Sequence, residues 1–532
     1  MSWRAYRLIL LGLFVSRGVV LLCVIPPFEA WDEYQHVAYV MHLAETGERP
    51  QFGNSSVAEP LLREVILFPG ADFAVDQLGG VGLQSYEDYW ADGASATFRP
   101  PSAPVPLYQA QHGPLAYALM MPLFDWGGGT GEMPRAVAFM RLASLLAGAL
   151  AVWIVLGCLD RIAADNRSAG LIGLIVVLQP LFGVNLARVA NDPLALLLAT
   201  AAIVLCFEMP RPPSVLRSVL VGALVALAIH AKALNWMLVP FAVGYPLLRE
   251  LAGSVMQPGA GDWRRGSVAA ALVASTCLAL IAPEILFGLN AHGTAIAAGD
   301  IVAAQRAGAS PSDWLGHASR VDWLYMAQDY WTRKSLFAGG WSAVRAPGLM
   351  RDIHQWTIWL AAFGWLTALL RRGLRSEATA TPWIVRQPVM LLGAALLVVG
   401  FHTGLCYHLL VLASLGRWPG SNIWYAAAAF PWFILLVVQG LRCLPIGPLA
   451  RVAPWLLVAI FAATNFAAIT FRMIPAYSQS TLGGTALERL ANLQPAFLGS
   501  ATLVLFGAIW LALLLAAAIH WRRLPAQLLA DE

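Results

Sequence analysis

Apolar runs of roughly a bilayer's width, separated by short charged or turn-rich breaks, recur along the whole chain. About 20 apolar residues carry a helix across the hydrocarbon core. Reading the runs between charges and turn residues predicts about twelve spanning helices. They lie near 8–27, 136–157, 168–187, 193–208, 215–230, 233–248, 267–288, 354–370, 388–411, 421–441, 452–472 and 498–520. The first follows Arg4 and Arg7 and ends at Pro26-Pro27-Phe28-Glu29, not at a small-residue cleavage site, so it reads as a retained span. Two long stretches, 29–112 and 288–352, interrupt the pattern, and long segments of this kind are usually functional. In the first, Trp31 to Thr46 has helical periodicity, with Val37, Val40, Met41 and Ala44 on one side. Pro-rich 100–106 predicts a stiff extended connector. The apolar stretch 113–124 is too short to span and predicts a surface or re-entrant helix.

Composition agrees with this pattern. Of 532 residues 59% are hydrophobic and 12% charged, and mean hydropathy is +0.65. A soluble domain carries about 25% charged residues, so half that cannot coat a water-facing surface, and disorder is excluded for the same reason. The fold class predicted is all-α and polytopic. Twenty-one tryptophans suit aromatic belts at the interfaces. The six cysteines sit in or beside apolar runs without metal-type spacing and read as small buried hydrophobes. A net charge of +4 gives no nucleic-acid footprint.

Charge also sets an orientation. With the N-terminus inside and the spans alternating, the cytoplasmic segments hold seventeen arginines against eight acids. Segment 29–112 holds twelve acids and only Arg49, Arg63 and Arg99 as bases. The positive-inside rule then puts both termini in the cytoplasm and both long segments outside. Neither an internal repeat nor a nucleotide-binding P-loop is evident.

Several polar groups stand where chemistry could occur. After the Pro pair come Asp32, Glu33 and His36. On a helix starting at Trp31, Asp32 and His36 share a face at i, i+4, although acids at a helix start are also favoured by its dipole. His112 closes the first long segment in Tyr108-Gln109-Ala110-Gln111-His112-Gly113-Pro114-Leu115-Ala116-Tyr117. Arg188 and Asp192 lie in a short outward turn, where Asp192-Pro193 also makes a good helix start. Lys232, one of only two lysines, ends another span. Arg333 and Lys334, beside Ser335 and Gly339-Gly340, could cradle a phosphate or meet anionic lipid heads. Arg417 adds another outward cation. Arg17 and Glu284 fall inside spans, where an ion needs a partner, and each could be the other's.

These features, in this order, resemble the GT-C superfamily of polyprenyl-phosphate-sugar-dependent glycosyltransferases, which includes protein O-mannosyltransferases and lipid A aminoarabinose transferases. Asp32-Glu33 matches the family's acidic motif at the start of the first outer loop. His112-Gly113-Pro114-Leu115-Ala116-Tyr117 resembles the motif closing that loop, with Gly where the family has its first Pro. Asn191-Asp192 resembles the acidic turn after the third span. The resemblance implies a GT-C-like catalytic module over 1–352 and C-terminal transmembrane helices over 353–532. It implies transfer of a sugar from a polyprenyl-phosphate or diphosphate donor to a glycan, lipid or protein acceptor at the outer face of the cytoplasmic membrane. Asp32 is the base it implies, with Glu33 second. His36, His112 and Asp192 fall to substrate binding, and Arg188, Lys232, Arg333, Lys334 and Arg417 to the leaving phosphate. No cofactor is assigned, and Asp32 and His36 could share a divalent metal. The competing class is a transporter or lipid flippase, whose two similar halves are not evident here.

Overall fold

The computed structural model describes residues 1–525 except 93–96, 257–260, 295–298, 309–310, 338, 341–343, 375–382 and 418–422. The chain is an all-α, multi-pass membrane protein. Its described residues form α-helices and short 3-10 turns, with isolated bridges such as Ser56–Pro106. Among the described residues each of the twelve predicted segments falls largely on helix, with 168–187 broken at Gln179. Among the described residues, seven helices are long and apolar enough to cross a membrane, or eight if one bent pair counts as a single span. Asp192–Phe207 and Val215–Ala231 are apolar but only 16 and 17 residues long. The outermost helices turn large apolar side chains outward, including Leu278 and Leu286 of Trp263–His292 and Leu505 and Leu515 of Ser500–Trp521. In water those faces would be costly; in lipid they are the solvated surface.

The bent pair is Asn166–Leu178 with Pro180–Leu186, broken by 52° at Gln179. Pro180 cannot continue the hydrogen-bond ladder, and the Phe182 amide donates to the Gln179 side chain, so the Leu178 carbonyl it would have bonded must find partners in the apolar interior. It accepts from Arg17 Nη1 at 2.9 Å and from Asn465 Nδ2 at 2.6 Å. Arg17 therefore serves the helix break. Glu284 is taken by Arg49, whose two terminal nitrogens reach its two oxygens at 2.9 and 2.8 Å. Arg17 and Glu284, which could have paired, do not. The reason is that a broken helix offers Arg17 a closer partner, and the first long segment folds back over the bundle to bring Arg49 to Glu284.

That segment has its own apolar core. Glu33–Thr46 buries Val37, Val40 and Met41 against Leu61, Leu62 and Val65 of Glu59–Val65 and against Tyr117 and Met120 of Leu115–Trp126. Leu115–Trp126, twelve residues long, packs on Glu33–Thr46 and on the long Met133–Ile162 helix. The first helix, Trp3–Val24, lies among Met133–Ile162, Asn166–Leu178 and Ser500–Trp521. The bundle thus has two chemically different ends. At one, Arg161 pairs with Glu208, Arg217 donates to the Glu208 carbonyl, and Arg211 donates to the Arg249 carbonyl. At the other, the helix ends near Asp32, Asp192 and Lys232 surround a cavity.

Candidate functional site

The cavity holds about 700 Å³. Its polar wall comes from Asp32 and His36, the 3-10 turn Tyr108–Gln111 with His112, the start of Asp192–Phe207, and Lys232 at the end of Val215–Ala231. Trp236, Met237, Val411 and Trp424 line much of the remainder. Asp32, His36, His112, Arg188, Asp192, Lys232 and Arg417, chosen from the sequence, meet here although they lie far apart in the chain.

Asp32 precedes the Glu33–Thr46 helix in a left-handed conformation, φ 59° and ψ 11°, and its side chain does not cap the helix. A non-glycine residue pays on the order of 1 kcal/mol for that backbone. The carboxylate is turned instead toward Tyr108, whose hydroxyl donates to Oδ1 at 2.6 Å, and Gln109, whose Nε2 donates to Oδ2 at 3.3 Å. Burial raises the Asp32 pKa above the ordinary carboxylate range, against the Tyr108 hydrogen bond and the charges of Arg188 and Lys232.

What holds Asp32 in this conformation is its neighbour. Glu33 is fully buried and accepts four hydrogen bonds: from Arg141 Nε at 2.7 Å and Nη2 at 2.5 Å, and from the amides of Phe28 and Val189, both at 2.9 Å. Arg141 also donates to the carbonyls of Ile25 and Pro26, each at 2.7 Å. The ion pair thus clamps the exit of the first helix. Glu33 has no lone pair left for a substrate and does not line the cavity, so its place as second-choice base is corrected to that of an anchor. Arg141 was missed in the sequence, although an arginine inside the predicted span 136–157 was a signal. Removing one partner of a buried pair strands the other charge, at roughly 3–5 kcal/mol. Glu33→Gln is therefore expected to lower the thermal midpoint of the detergent-solubilised protein strongly, and Asp32→Asn to leave it near that of the parent. Equal midpoints for Glu33→Gln and the parent would remove the anchor role.

Opposite Asp32 is a cation pair bridged by Asp192. Lys232 Nζ donates to Asp192 Oδ1, and Arg188 Nη2 donates to Oδ2 at 2.7 Å. Arg188 Nη1 reaches the carbonyl of Trp31 at 2.5 Å, which ties this cluster to the residue before Asp32. Arg188 Nε is buried without a partner. Burial lowers the Lys232 pKa, and Asp192 opposes the shift. Asn191 fixes the turn by donating to the Ala231 carbonyl at 3.0 Å.

His36 Nδ1 lies 3.0 Å from the Tyr117 hydroxyl, and Tyr117 stacks on Tyr39 at 3.8 Å. Burial holds the pKa of His36 well below its usual value and that of His112 at about 3, so both rings are neutral donors or acceptors. Arg417 lies at the cavity margin with Nη1 2.6 Å from Asp300 Oδ1. Among the described residues no three His, Cys, Asp or Glu side chains come together as metal ligands. Asp32 accepts from Tyr108 and Gln109, and His36 Nδ1 meets Tyr117, so no step is assigned to a metal ion.

Arg333 and Lys334 stay outside the cavity. Arg333 pairs with Asp352 at 2.6 Å, and the Lys334 ammonium sits over the rings of Tyr325 and Tyr330 at 4.9 and 5.8 Å. Their 3-10 turn, Arg333–Leu336, sends Ser335 inward to His354, 3.0 Å away, and its carbonyl to Gln179 at 2.9 Å, while neither cation lines the cavity. Their assignment to the donor phosphate is corrected accordingly. Tyr108, Gln109, Trp424 and Tyr425 were not assigned to the site from the sequence, because aromatics and amides in loops serve equally as interfacial anchors.

No family model matches the chain, and no curated protein matches it. Two solved structures of ArnT from Cupriavidus metallidurans are similar to it. The form bound to undecaprenyl phosphate is 15% identical with TM-score 0.42, covering 96% of this chain and 74% of that one. The apo form is 16% identical with TM-score 0.41, covering 96% and 76%. Matches at these values give no residue here a role.

Proposed function

We propose that this chain is a GT-C-type membrane glycosyltransferase. It moves a sugar from a polyprenyl-phosphate or diphosphate donor to an envelope acceptor at the outer face of the cytoplasmic membrane. The carrying observation is one cavity that sets a raised-pKa carboxylate, Asp32, against the buried cations Arg188 and Lys232 at one end of an apolar helix bundle. Glycosyl transfer needs this pair of groups. The acceptor hydroxyl attacks the anomeric carbon and gives its proton to Asp32, which acts as general base. The bond from that carbon to the phosphate oxygen breaks, and the phosphate leaves with the electron pair as an anion. Arg188 and Lys232 are the cations that would stabilise it in a water-poor site. Asp192 holds both in place before the donor arrives. Attack opposite the leaving group by one base-activated hydroxyl inverts the anomeric centre; the other carboxylates of the described cavity wall, Asp192 and Asp300, are engaged by Lys232 and Arg188 and by Arg417, which favours this single displacement over a retaining route. The apolar wall at Trp236, Met237 and Val411 suits the lipid end of the donor. On this reading residues 1–352 form the catalytic module, and the later helices complete its bundle.

The pKa directions give a pH test. A base with a raised pKa loses its activity, as pH falls, at a higher pH than an ordinary carboxylate near 3.9. A Lys232 ammonium with a lowered pKa is lost, as pH rises, before the ordinary 10.4. The pH dependence of kcat/KM is expected to be bell-shaped, with both limbs displaced inward. The displaced acid limb should vanish in Asp32→Asn, leaving residual activity flat there. An acid limb retained in that variant would assign it to another group.

The orientation follows from the charge difference between the ends and is tested by labelling. Cysteines replacing exposed Gln77, in the first long segment, and exposed Pro445, at the opposite end, report the two sides. Five native cysteines are buried, and half-buried Cys406 is changed to Ala to lower background. An impermeant maleimide on spheroplasts is expected to label Gln77→Cys directly and Pro445→Cys only after lysis. The reverse pattern would invert the orientation and put the cavity in the cytoplasm. The reaction itself is tested with purified protein in liposomes and polyprenyl-phosphate sugars extracted from the same cells. Release of free polyprenyl phosphate is expected only when the acceptor fraction is added. Movement of intact donor across the bilayer without release would favour a flippase.

A further inference from the structure

A second pocket, about 340 Å³, lies at the end of the bundle away from Asp32. About 20 helical residues, Asn166–Leu178 and Pro180–Leu186, separate it from Arg188, roughly 30 Å of helix at 1.5 Å per residue. Its walls carry Arg167, Arg442 and Arg451 against a single carboxylate, Asp165, with Trp383 and Trp521 beside them. The carboxylate is held by Ser168: its oxygens accept from the Ser168 amide at 2.8 Å and the Ser168 hydroxyl at 3.0 Å, capping Asn166–Leu178. Arg167 is held in place, with Nε donating to the Leu524 carbonyl at 3.0 Å and Nη2 to the Arg522 carbonyl at 3.3 Å. Trp521 is fixed by its Nε1 donating to the Arg167 carbonyl at 2.8 Å.

Arg442 and Arg451 differ from these. Among the described residues neither side chain makes an ion pair or hydrogen bond, and Arg442 Nε is buried with no hydrogen-bond partner, although the charge of Asp165 acts on Arg442 from beyond ion-pair distance. A guanidinium presents donors in a planar fork that matches phosphate. A half-buried one left without an acceptor leaves part of its desolvation uncompensated. Two forks without a hydrogen-bond partner among the described residues, a net excess of positive charge and two tryptophans at the rim match the chemistry of a phosphate group presented at a membrane surface. Indole rings favour the headgroup level.

We propose that this pocket binds a phosphate-bearing ligand, with Arg442 and Arg451 as its forks, and that the ligand is the headgroup of an anionic phospholipid in the leaflet bordering that end. The site is independent of the transfer reaction, and both Arg442 and Arg451 lie outside the catalytic cavity. The test is native mass spectrometry of detergent-purified protein titrated with dihexanoyl phosphatidylglycerol, dihexanoyl phosphatidylcholine or inorganic phosphate. The parent is expected to retain one phosphatidylglycerol at concentrations where phosphatidylcholine does not bind. Losing a charge-assisted bond should weaken retention roughly tenfold or more in Arg451→Gln, and further in Arg442→Gln/Arg451→Gln. Exposed Arg451 tolerates substitution without loss of fold, and an unchanged thermal midpoint of the lipid-free protein checks this. Tight saturable binding of inorganic phosphate alone, lost in the variants, would keep the phosphate site but overturn the lipid as its source. Equal retention of the two lipids, or phosphatidylglycerol retention unchanged in both variants, would overturn the site.

Discussion

Asp32→Asn is expected to lower turnover by about 10²–10⁴-fold, the usual contribution of a positioned general base. The amide is close in size to the carboxylate and can still accept from Tyr108, whose hydroxyl lies 2.6 Å from Oδ1. It cannot take a proton from the acceptor hydroxyl. Donor affinity should change little, because the phosphate cations Arg188 and Lys232 are held by Asp192 and not by Asp32. Asn also tolerates the left-handed backbone that Asp32 adopts. A folding defect would therefore not explain the loss. The checks are a transfer assay and a donor-binding titration on the same purified variant. Near-normal turnover would take the base away from Asp32.

Lys232→Ala is expected to cost about 10²–10³-fold in turnover, the size seen when one preorganised charge-stabilising donor is lost. Donor binding should weaken as well, by roughly 1.5–3 kcal/mol if a charge-assisted hydrogen bond disappears. Arg188→Ala should be worse for folding, because Arg188 also donates to Trp31 and to Asn185. The informative comparison is with Arg333→Ala. Arg333 pairs with Asp352 away from the cavity, so its loss should leave donor affinity and turnover near those of the parent. If Arg333→Ala lost donor binding and Lys232→Ala kept it, the phosphate site would lie in the second long segment after all.

The helices were legible because the length of an apolar run alone decides whether a helix can cross a bilayer. Their number as spans was less so, since helices of 16 and 17 residues sit at that limit. Asp32 and His36 were grouped on a helix from Trp31; both line the cavity, although the helix starts at Glu33 and Asp32 precedes it in a left-handed turn. The division of labour between Asp32 and Glu33 could not be read. Two adjacent carboxylates are chemically alike in sequence, and what separates them is Arg141, 108 positions further on, filling one and leaving the other to the cavity. The Lys232–Asp192 contact spans 40 positions and depends on how two helix ends dock. The Arg333-Lys334 doublet looked like a phosphate cradle because local sequence displays charges without displaying their neutralising partners, here Asp352 and the rings of Tyr325 and Tyr330. Arg17 and Glu284 misled in the same way: each did need a partner, but a helix break supplied one and Arg49 the other.

The measurement that bears most directly on the central claim is comparative mass spectrometry of envelope glycans and lipid-linked sugars. It compares cells lacking this protein, cells carrying it, and cells carrying Asp32→Asn at equal membrane abundance. The account predicts that loss of the protein removes one sugar unit from an envelope component while a polyprenyl-linked sugar accumulates, and that Asp32→Asn reproduces both changes. An unchanged envelope in cells lacking the protein, or full restoration by Asp32→Asn, would contradict it.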